Sequence, residues 1–579
     1  MNTHKNTQIN SPENRIYIFD TTLRDGQQSP GAGMSFADNL QYAGYADLLK
    51  VDILEAGFPS ASHTDFDIVH AISKQMADKN SAMTIAALCQ LREEQFIKTM
   101  EALMPRLAQG KARVHTYVPV DPQLMPASLG HLSHDKNKII DEVYRLIRLA
   151  TQAGFEVEFS PEGYSQLGIH FDFVTDLIRA AVNAGATIIN CPDTIGGAAR
   201  IQGKHYFVNH MKKHAKIIAQ EFKNKKIIWS THCHNDFGLA LDNSINAVFN
   251  GPARQIEGCI NGVGERAGNV ALEQCIMYIK QFGHETAMHT HAPYYTAIDF
   301  QHLKKISDFI AEKMLSRQPH YPIVGDNATR HSSGGHTNAI LKNPLAYQPF
   351  DPEDIGGKID FVFGPLSGSN HAKKIIEKHG YRCETAEKTL ITQAIKQYYA
   401  DRRKGITDDE LIKGYWHFRA PIKIKTISSA KINAEETCLV LSGQFFDSEK
   451  IAIPYPEETA SDKRITHTLA ALAKKIATFF PGVEIIEHRS HACEEAAVNA
   501  KYHSTIRIKA PLKINEYHEY TGIAIAAESE ISALHAFINA VNHAYIEMHY
   551  RLLDTNPTIH PTFNQPVNTH NMILRQEHV

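Results

Sequence analysis

No CxxC pair occurs among the eight cysteines of this 579-residue sequence. Scattered cysteines without such spacing argue against a disulfide framework and for reduced thiols in a cytoplasm. Charge of one sign is also missing. A formal net charge of -3 gives no electrostatic basis for binding nucleic acid or an anionic membrane. No uninterrupted apolar run is long enough to span a bilayer, and the polar start MNTHKNTQINSPEN has no apolar signal segment. Histidine, by contrast, is plentiful at 33 residues, so a histidine by itself carries little meaning.

What is present from Arg15 onward is a rhythm of short β-branched runs and longer amphipathic stretches. The runs are Ile16–Asp20, Val51–Ala56, Met83–Leu88, Ala112–Val118, Phe155–Ser160, Thr187–Cys191, Ile227–His232 and Arg254–Ile260. Asp38–Leu49, Asp141–Ala153 and Phe171–Ala184 are among the helical stretches between them. Alternation of this kind implies a parallel sheet with right-handed crossovers. Eight units in roughly 250 residues fit a (β/α)8 TIM barrel better than the alternative, an open doubly wound sheet.

A barrel places its chemistry at the C-terminal ends of its strands. Polar clusters fall at those positions: TTLRDGQQ, EAGFP, EFSPE, NCPDT, THCHND and NGVGERAGN. In HCHND, His232 and His234 are two apart and share one side of a strand. Alone, this pair reads as readily as packing. Asp25 after the first strand adds a hard oxygen ligand, and Asn269 after the eighth adds another. A nitrogen and oxygen set without thiolate suits Zn, Mn, Co or Mg and leaves positions open for substrate. Cys233 points away from such a site by strand alternation. Arg24 beside Asp25 reads as a surface salt bridge or as a cation awaiting an anionic oxygen.

LRDGQQ, EAGFP, FSPE, HCHNDFG, NGVGERAGN and SSGGHTNAILKNPLAYQPFDPEDIG together resemble the α-isopropylmalate synthase and homocitrate synthase group over about Arg15 to Tyr381. The resemblance implies a metal-dependent Claisen condensation of acetyl-CoA with a 2-oxo acid, then thioester hydrolysis. It implies Asp25, His232 and His234 as ligands of a divalent ion, with Asn269 close by. Arg24, Glu162, His336 and Tyr347 would be catalytic. Leu88, His115, Ser160, Asn190 and Thr194 would line the 2-oxo acid pocket, and Gly262 and Gly264 the acetyl-CoA loop. His336 and Tyr347 would serve the barrel of a partner chain, which implies a homodimer with shared active sites. A lyase or aldolase on the same barrel, and a silent amino-acid sensor, are the competing classes. The SSGGH segment and long C-terminal region argue against the first, and the full set of chemical groups against the second.

Three positions depart from the family pattern. Asn39 stands where a lysine is common, Asp242 where a small residue is usual, and TYVPVDP follows His115. The first two read as helix-surface variation. VDILEAGFP resembles the isopropylmalate branch of the family and favours 3-methyl-2-oxobutanoate as acceptor, with homocitrate and citramalate synthesis as runners-up. The expected organisation is a disordered segment over 1–14, a barrel over 15–296, linker subdomains over 297–413 with a connector at Asp401–Lys413, a C-terminal α+β regulatory-like domain over 414–555, and an extended tail over 556–579. GIAIAAESEISALHAFINAVN resembles the end of the family's leucine-sensing domain, so leucine is an expected feedback effector.

Overall fold

The computed structural model describes residues 12–286, 293–314, 317–401, 405–428, 436–443, 446–454, 461–492, 501–513 and 516–552. Most of the expected N-terminal disordered segment and the whole of the expected tail lie outside them. The chain divides into two compact units, one of residues 1–330 with 349–359 and one of residues 331–348 with 360–579.

In the first unit eight parallel strands close into a barrel in sequence order: β1 (Tyr17–Asp20), β2 (Ile53–Glu55), β3 (Thr84–Gln90), β4 (Ala112–Pro119), β5 (Glu156–Glu162), β6 (Ile188–Asp193), β7 (Ile228–Cys233) and β8 (Ala253–Gly258). Each expected run overlaps one of these strands, and β3 to β8 each extend one or two residues beyond the expected bounds. β8 pairs with β1, Glu257 opposite Phe19, and this closure brings the loop after β1 beside β7 and β8. Helices α1 (Phe36–Leu49), α2 (His63–Asp78), α3 (Glu93–Leu107), α4 (Leu124–Leu129), α5 (Lys136–Gln152), α6 (Phe171–Ala184), α7 (Phe207–Glu221), α8 (Ala240–Phe249) and α9 (Leu272–Phe282) fill the connections. Local chemistry starts several of them. A Ser35–Asp38 capping box begins α1, and the Ser62 and Asp135 side chains cap α2 and α5. Apolar faces of these helices, such as Tyr42, Ala43, Ala46 and Leu49 of α1, close over the outside of the strands.

The barrel interior is divided by chemistry. Phe19, Ile53 and Ala86, with Tyr17 against them, make a small apolar cluster on β1 to β3. On β4 to β8 most inward positions are polar. Arg113 Nη1 donates to Glu158 and to Gln255, both at 2.9 Å, and Gln255 Nε2 donates to Glu158 at 2.8 Å and to Ser230 at 3.0 Å. Ser230 donates to Glu257 at 2.9 Å. Removing one member of such a buried charged set costs about 3–5 kcal/mol, because its partner is left uncompensated.

In the second unit, helices Ser369–Lys378, Lys388–Tyr398 and Asp408–Arg419 share a core with Phe363, Tyr381 and Ile406. Asp408–Arg419 overlaps the expected connector. Thr407 and Glu410 form a capping box that starts a helix there. Two three-stranded antiparallel sheets follow, Ile422–Ser428 with Glu436–Gly443 and Phe446–Pro454, and Glu484–Ala492 with Tyr502–Lys513 and Glu516–Ala526. Helices Ser461–Ile476 and Ser529–Tyr550 pack in this α+β region, the second around Phe537 and Val541. No helix among the described residues is long and apolar enough to cross a membrane.

Candidate active site

The polar loop after β1 does two jobs. Asp20 builds it: Oδ1 accepts from Thr22 N and Thr22 Oγ1, and Oδ2 accepts from Tyr42 Oη. Gln27 braces it, donating to Leu23 O and Asn39 Oδ1 while accepting from Met34 N. Asn39, expected on a helix surface, is fully buried and holds this loop against α1. Asp242 is half-buried near the start of α8 and paired with exposed Arg200.

The loop then presents Arg24 and Asp25 to the barrel mouth. Asp25 Oδ2 lies 3.4 Å from His232 Nε2 and 3.8 Å from His234 Nε2, and the two imidazole nitrogens are 3.3 Å apart. Such separations suit donors that each sit about 2.1 Å from one shared ion. All three side chains are buried. Burial opposes the Asp25 charge, but Arg24, His232 and His234 hold the carboxyl well below the usual range. Burial and then His232 bring His234 down to about 4, so its ring is neutral and its lone pair available. The Asn269 amide donates to Val263 O and Cys259 Sγ, which leaves its Oδ1 buried without a partner. A hard divalent cation fits this donor set. Cys233 is buried beside Thr231, as strand alternation requires, and has no part in it.

Glycine makes the approach of Asn269 feasible. Gly264 has φ +158, and a Cβ there would collide with the Asn269 amide and lie 3.2 Å from Asp25 Oδ1. Gly262 has φ +64 and a virtual Cβ 3.0 Å from Asn269 O. Both glycines are therefore needed to fold the loop against the Asp25 cluster.

Arg24 is held on two sides. Nε donates to Glu55 Oε2 at 2.6 Å and Nη1 to Asp25 Oδ2 at 2.9 Å. Burial acts against its charge, but Glu55 and Asp25 outweigh burial and raise its pKa. Glu55 is the residue that motif reading passed over, although it sits inside the quoted EAGFP. An acidic side chain ending the apolar run Ile53–Leu54 was the available signal. Burial alone would raise its pKa, yet Arg24 and His115 bring it down to about 2. His115 Nδ1 lies 2.7 Å from Glu55 Oε1, and its Nε2 lies 2.8 Å from Ser160 Oγ. Asn190 Nδ2 donates to Ser160 Oγ at 3.0 Å and to Glu257 Oε2 at 3.2 Å. Glu257 Oε2 also lies 3.6 Å from His232 Nδ1, on the side of the ring away from Asp25. Burial and then Glu158 push Glu257 well above the ordinary carboxyl range.

Leu88 is buried on β3, two strands from β1. Glu162 ends β5, and burial raises its pKa against the opposing field of Arg24. Thr194 Oγ1 accepts from Gly163 N at 2.9 Å and fixes the turn just after Glu162. His336 and Tyr347 belong to the second unit. Their rings stack with centroids 4.0 Å apart and planes at 14°, and Tyr347 is 61% exposed with φ +61. That backbone angle is unusual for a side chain of this size.

A closed parallel barrel with a buried Asp–His–His cluster and a clamped guanidinium at its C-terminal mouth defines a metal-centred TIM-barrel enzyme. The family model described as HMGL-like matches residues 15–310, and one described as homocitrate synthase post-HMGL domain-like matches residues 323–404. The 2-isopropylmalate synthase of Chromobacterium violaceum is 34% identical over 403 residues, 69% of this chain and 73% of that protein. That of Pelotomaculum thermopropionicum is 36% identical over 403 residues, covering 69% and 74%. That of Methylibium petroleiphilum is 28% identical over 537 residues, covering 91% and 97%. The chain belongs to the HMGL-like family, within the group whose curated members are 2-isopropylmalate synthases.

Proposed function

We propose that the chain condenses acetyl-CoA with 3-methyl-2-oxobutanoate and hydrolyses the thioester, giving 2-isopropylmalate and CoA, the first committed step of leucine biosynthesis. The observation that carries this reading is the contact of the Arg24 guanidinium with Asp25 inside the Asp25–His232–His234 cluster. A cation is placed where an oxygen bound at that cluster would gain negative charge.

Asp25, His232 and His234 would hold the divalent ion, Zn, Mn, Co or Mg, with Asn269 Oδ1 beside them. When bound, the ion supplies a Lewis acid for the keto and carboxylate oxygens of the 2-oxo acid. Arg24, fixed by Glu55, donates to the keto oxygen as it becomes an alkoxide. Leu88, His115, Ser160, Asn190 and Thr194 line the acceptor pocket, and the loop of Gly262 and Gly264 admits acetyl-CoA. His336, assisted by Tyr347, removes a proton from the acetyl methyl carbon. That carbon then bonds to the keto carbon. Glu162, biased toward its protonated form by burial, returns a proton to the alkoxide. Water cleaves the carbon–sulfur bond and CoA leaves as the thiol.

The His336–Tyr347 pair serves the barrel of a second copy, so the working species is a homodimer. The region 297–413 acts as linker subdomains and 414–555 as a regulatory domain with leucine as feedback effector. The six described cysteines are buried and unpaired, which suits a reducing cytoplasm.

Thiol release from acetyl-CoA, measured with a panel of 2-oxo acids, tests the reading. Turnover should be highest with 3-methyl-2-oxobutanoate. The match to the homocitrate synthase post-HMGL model makes 2-oxoglutarate the informative competitor, and a preference for it would replace the proposed acceptor. No thiol release with any 2-oxo acid would reject the condensation.

A further inference from the structure

Two helices of the second unit begin at one cavity of about 250 Å³. One is Gly334–Lys342 and the other Ser369–Lys378. Glycine permits their ends to meet. A Cβ at Gly334 would stand 3.0 Å from Leu366 O and 3.1 Å from Gly368 N. Neither helix has a side-chain cap from its capping position, Ser333 or Gly368. Gly334 N donates to Leu366 O and His371 N to Gly368 O. Among the described residues, the first-turn N–H groups of Ser369 and Asn370, which line the cavity, have no protein acceptor.

Two buried side chains lining the same cavity are also unpartnered. Thr337 is 1% exposed and its hydroxyl has no hydrogen bond. His371 is 3% exposed and neither ring nitrogen has one. Its imidazole is packed by Phe361 and Phe363, with ring centroids at 5.5 and 5.7 Å. Buried polar groups are rarely left unbonded, so these mark a place built for a partner. Burial brings His371 down to about 4, and the ring therefore offers one N–H.

The electrostatics choose an anion. Each helix N-terminus presents about half a positive charge, and here two are aimed at one space. Asn370 Nδ2 donates to Asn338 Oδ1 across the gap, and Asn370 Oδ1 accepts from Lys388 Nζ at 2.6 Å, which brings a cation to the rim. The carboxylates that act on His371 are Asp408, ion-paired with Lys378, and Asp360. The donors comprise the Ser369 and Asn370 N–H groups at the start of the second helix, a hydroxyl and an imidazole. A planar carboxylate cannot satisfy donors arriving from so many directions, whereas the oxygens of a tetrahedral phosphate can.

We propose that this cavity is a binding site for one phosphate group. The phosphate belongs either to coenzyme A or to free inorganic phosphate, and the same variants separate these sources. Ser369 is the first helical residue, and Gly368 before it has φ -88 and ψ 165, which a following proline tolerates. Ser369→Pro thus removes one N–H donor while keeping the helix, and Ser369→Ala keeps the donor. Thr337→Val removes the hydroxyl at nearly constant shape. Binding of inorganic phosphate to the full chain is followed by 31P NMR, and binding of CoA by calorimetry. Ser369→Pro and Thr337→Val should each weaken phosphate binding about fivefold or more, the effect of one lost hydrogen bond, and Ser369→Ala should not. A parallel loss for CoA assigns the site to its phosphate, and a loss for inorganic phosphate alone assigns it to the free ion. Unchanged binding of both probes in Thr337→Val and in folded Ser369→Pro overturns the proposal. So does absence of phosphate and CoA binding to the parent chain.

Discussion

The Arg24 guanidinium donates to Glu55 at 2.6 Å, from the loop after one barrel strand to the end of the next. Glu55 uses its other oxygen on His115 and accepts from Thr21 Oγ1 on the side of Arg24. One carboxylate therefore aims both the cation and the imidazole at the barrel mouth. Replacing Arg24 with lysine keeps the charge and loses the planar fork. The expected result is a fall in kcat of about 10²-fold, larger than any change in the KM of the 2-oxo acid. Steady-state kinetics check it, and an effect confined to KM would place Arg24 in ground-state binding.

Glu55 also gives a pH prediction. Its folded pKa, about 2, is depressed below its ordinary value of 4.5. A depressed carboxyl contributes stability that is present above the unfolded pKa and is lost as pH falls toward the folded one. The stability difference between the parent chain and Glu55→Gln should therefore shrink between about pH 4.5 and pH 2, read by urea denaturation at fixed steps. A difference that stays constant across that window would mean that Glu55 is not held ionised by Arg24 and His115.

His232→Ala removes one of the three buried donors proposed to hold the divalent ion. Metal analysis of the purified variant should show reduced occupancy, with turnover falling in parallel. Full occupancy with full turnover would place the ion elsewhere.

Asn39→Ala leaves the Gln27 amide short of one acceptor in a buried place. A loss of about 1–3 kcal/mol is expected by denaturant unfolding, together with looser binding of the metal through the loop that carries Asp25. An unchanged stability would return Asn39 to the helix surface in energetic terms.

Mixing His336→Ala with His232→Ala should restore part of the activity once subunits exchange. In the hybrid, one barrel keeps its ligands and receives an intact histidine from its neighbour. Demonstrated hybrids without recovery would confine His336 to its own chain or remove it from catalysis.

The strands of the barrel were legible because a parallel strand buried on both faces is a near-continuous apolar run, as in Ile188–Ile189 or Thr84–Cys89. Asp25, His232 and His234 were legible because ligand chemistry requires a few residue types at strand ends. Glu55 was harder. One acidic residue closing an apolar strand looks like a boundary, and only closure of the sheet reveals that Arg24 and His115 reach it. Asn39 was misread because polar residues in a helix default to the surface, and its partner Gln27 is twelve residues away through a loop.

The polar half of the barrel has a consequence for how such an enzyme can change. Ser160, His115, Asn190 and Glu257 are each bonded to another member of the chain that runs down to Arg113. A substitution at any of them strands a charge or an amide deeper in the protein. In the acceptor pocket proposed above, a new 2-oxo acid is thus accommodated one replacement at a time at positions such as Leu88, which packs without joining these bonds. Reprogramming the remainder demands concerted exchange of several interior residues, a step that random single mutation rarely reaches.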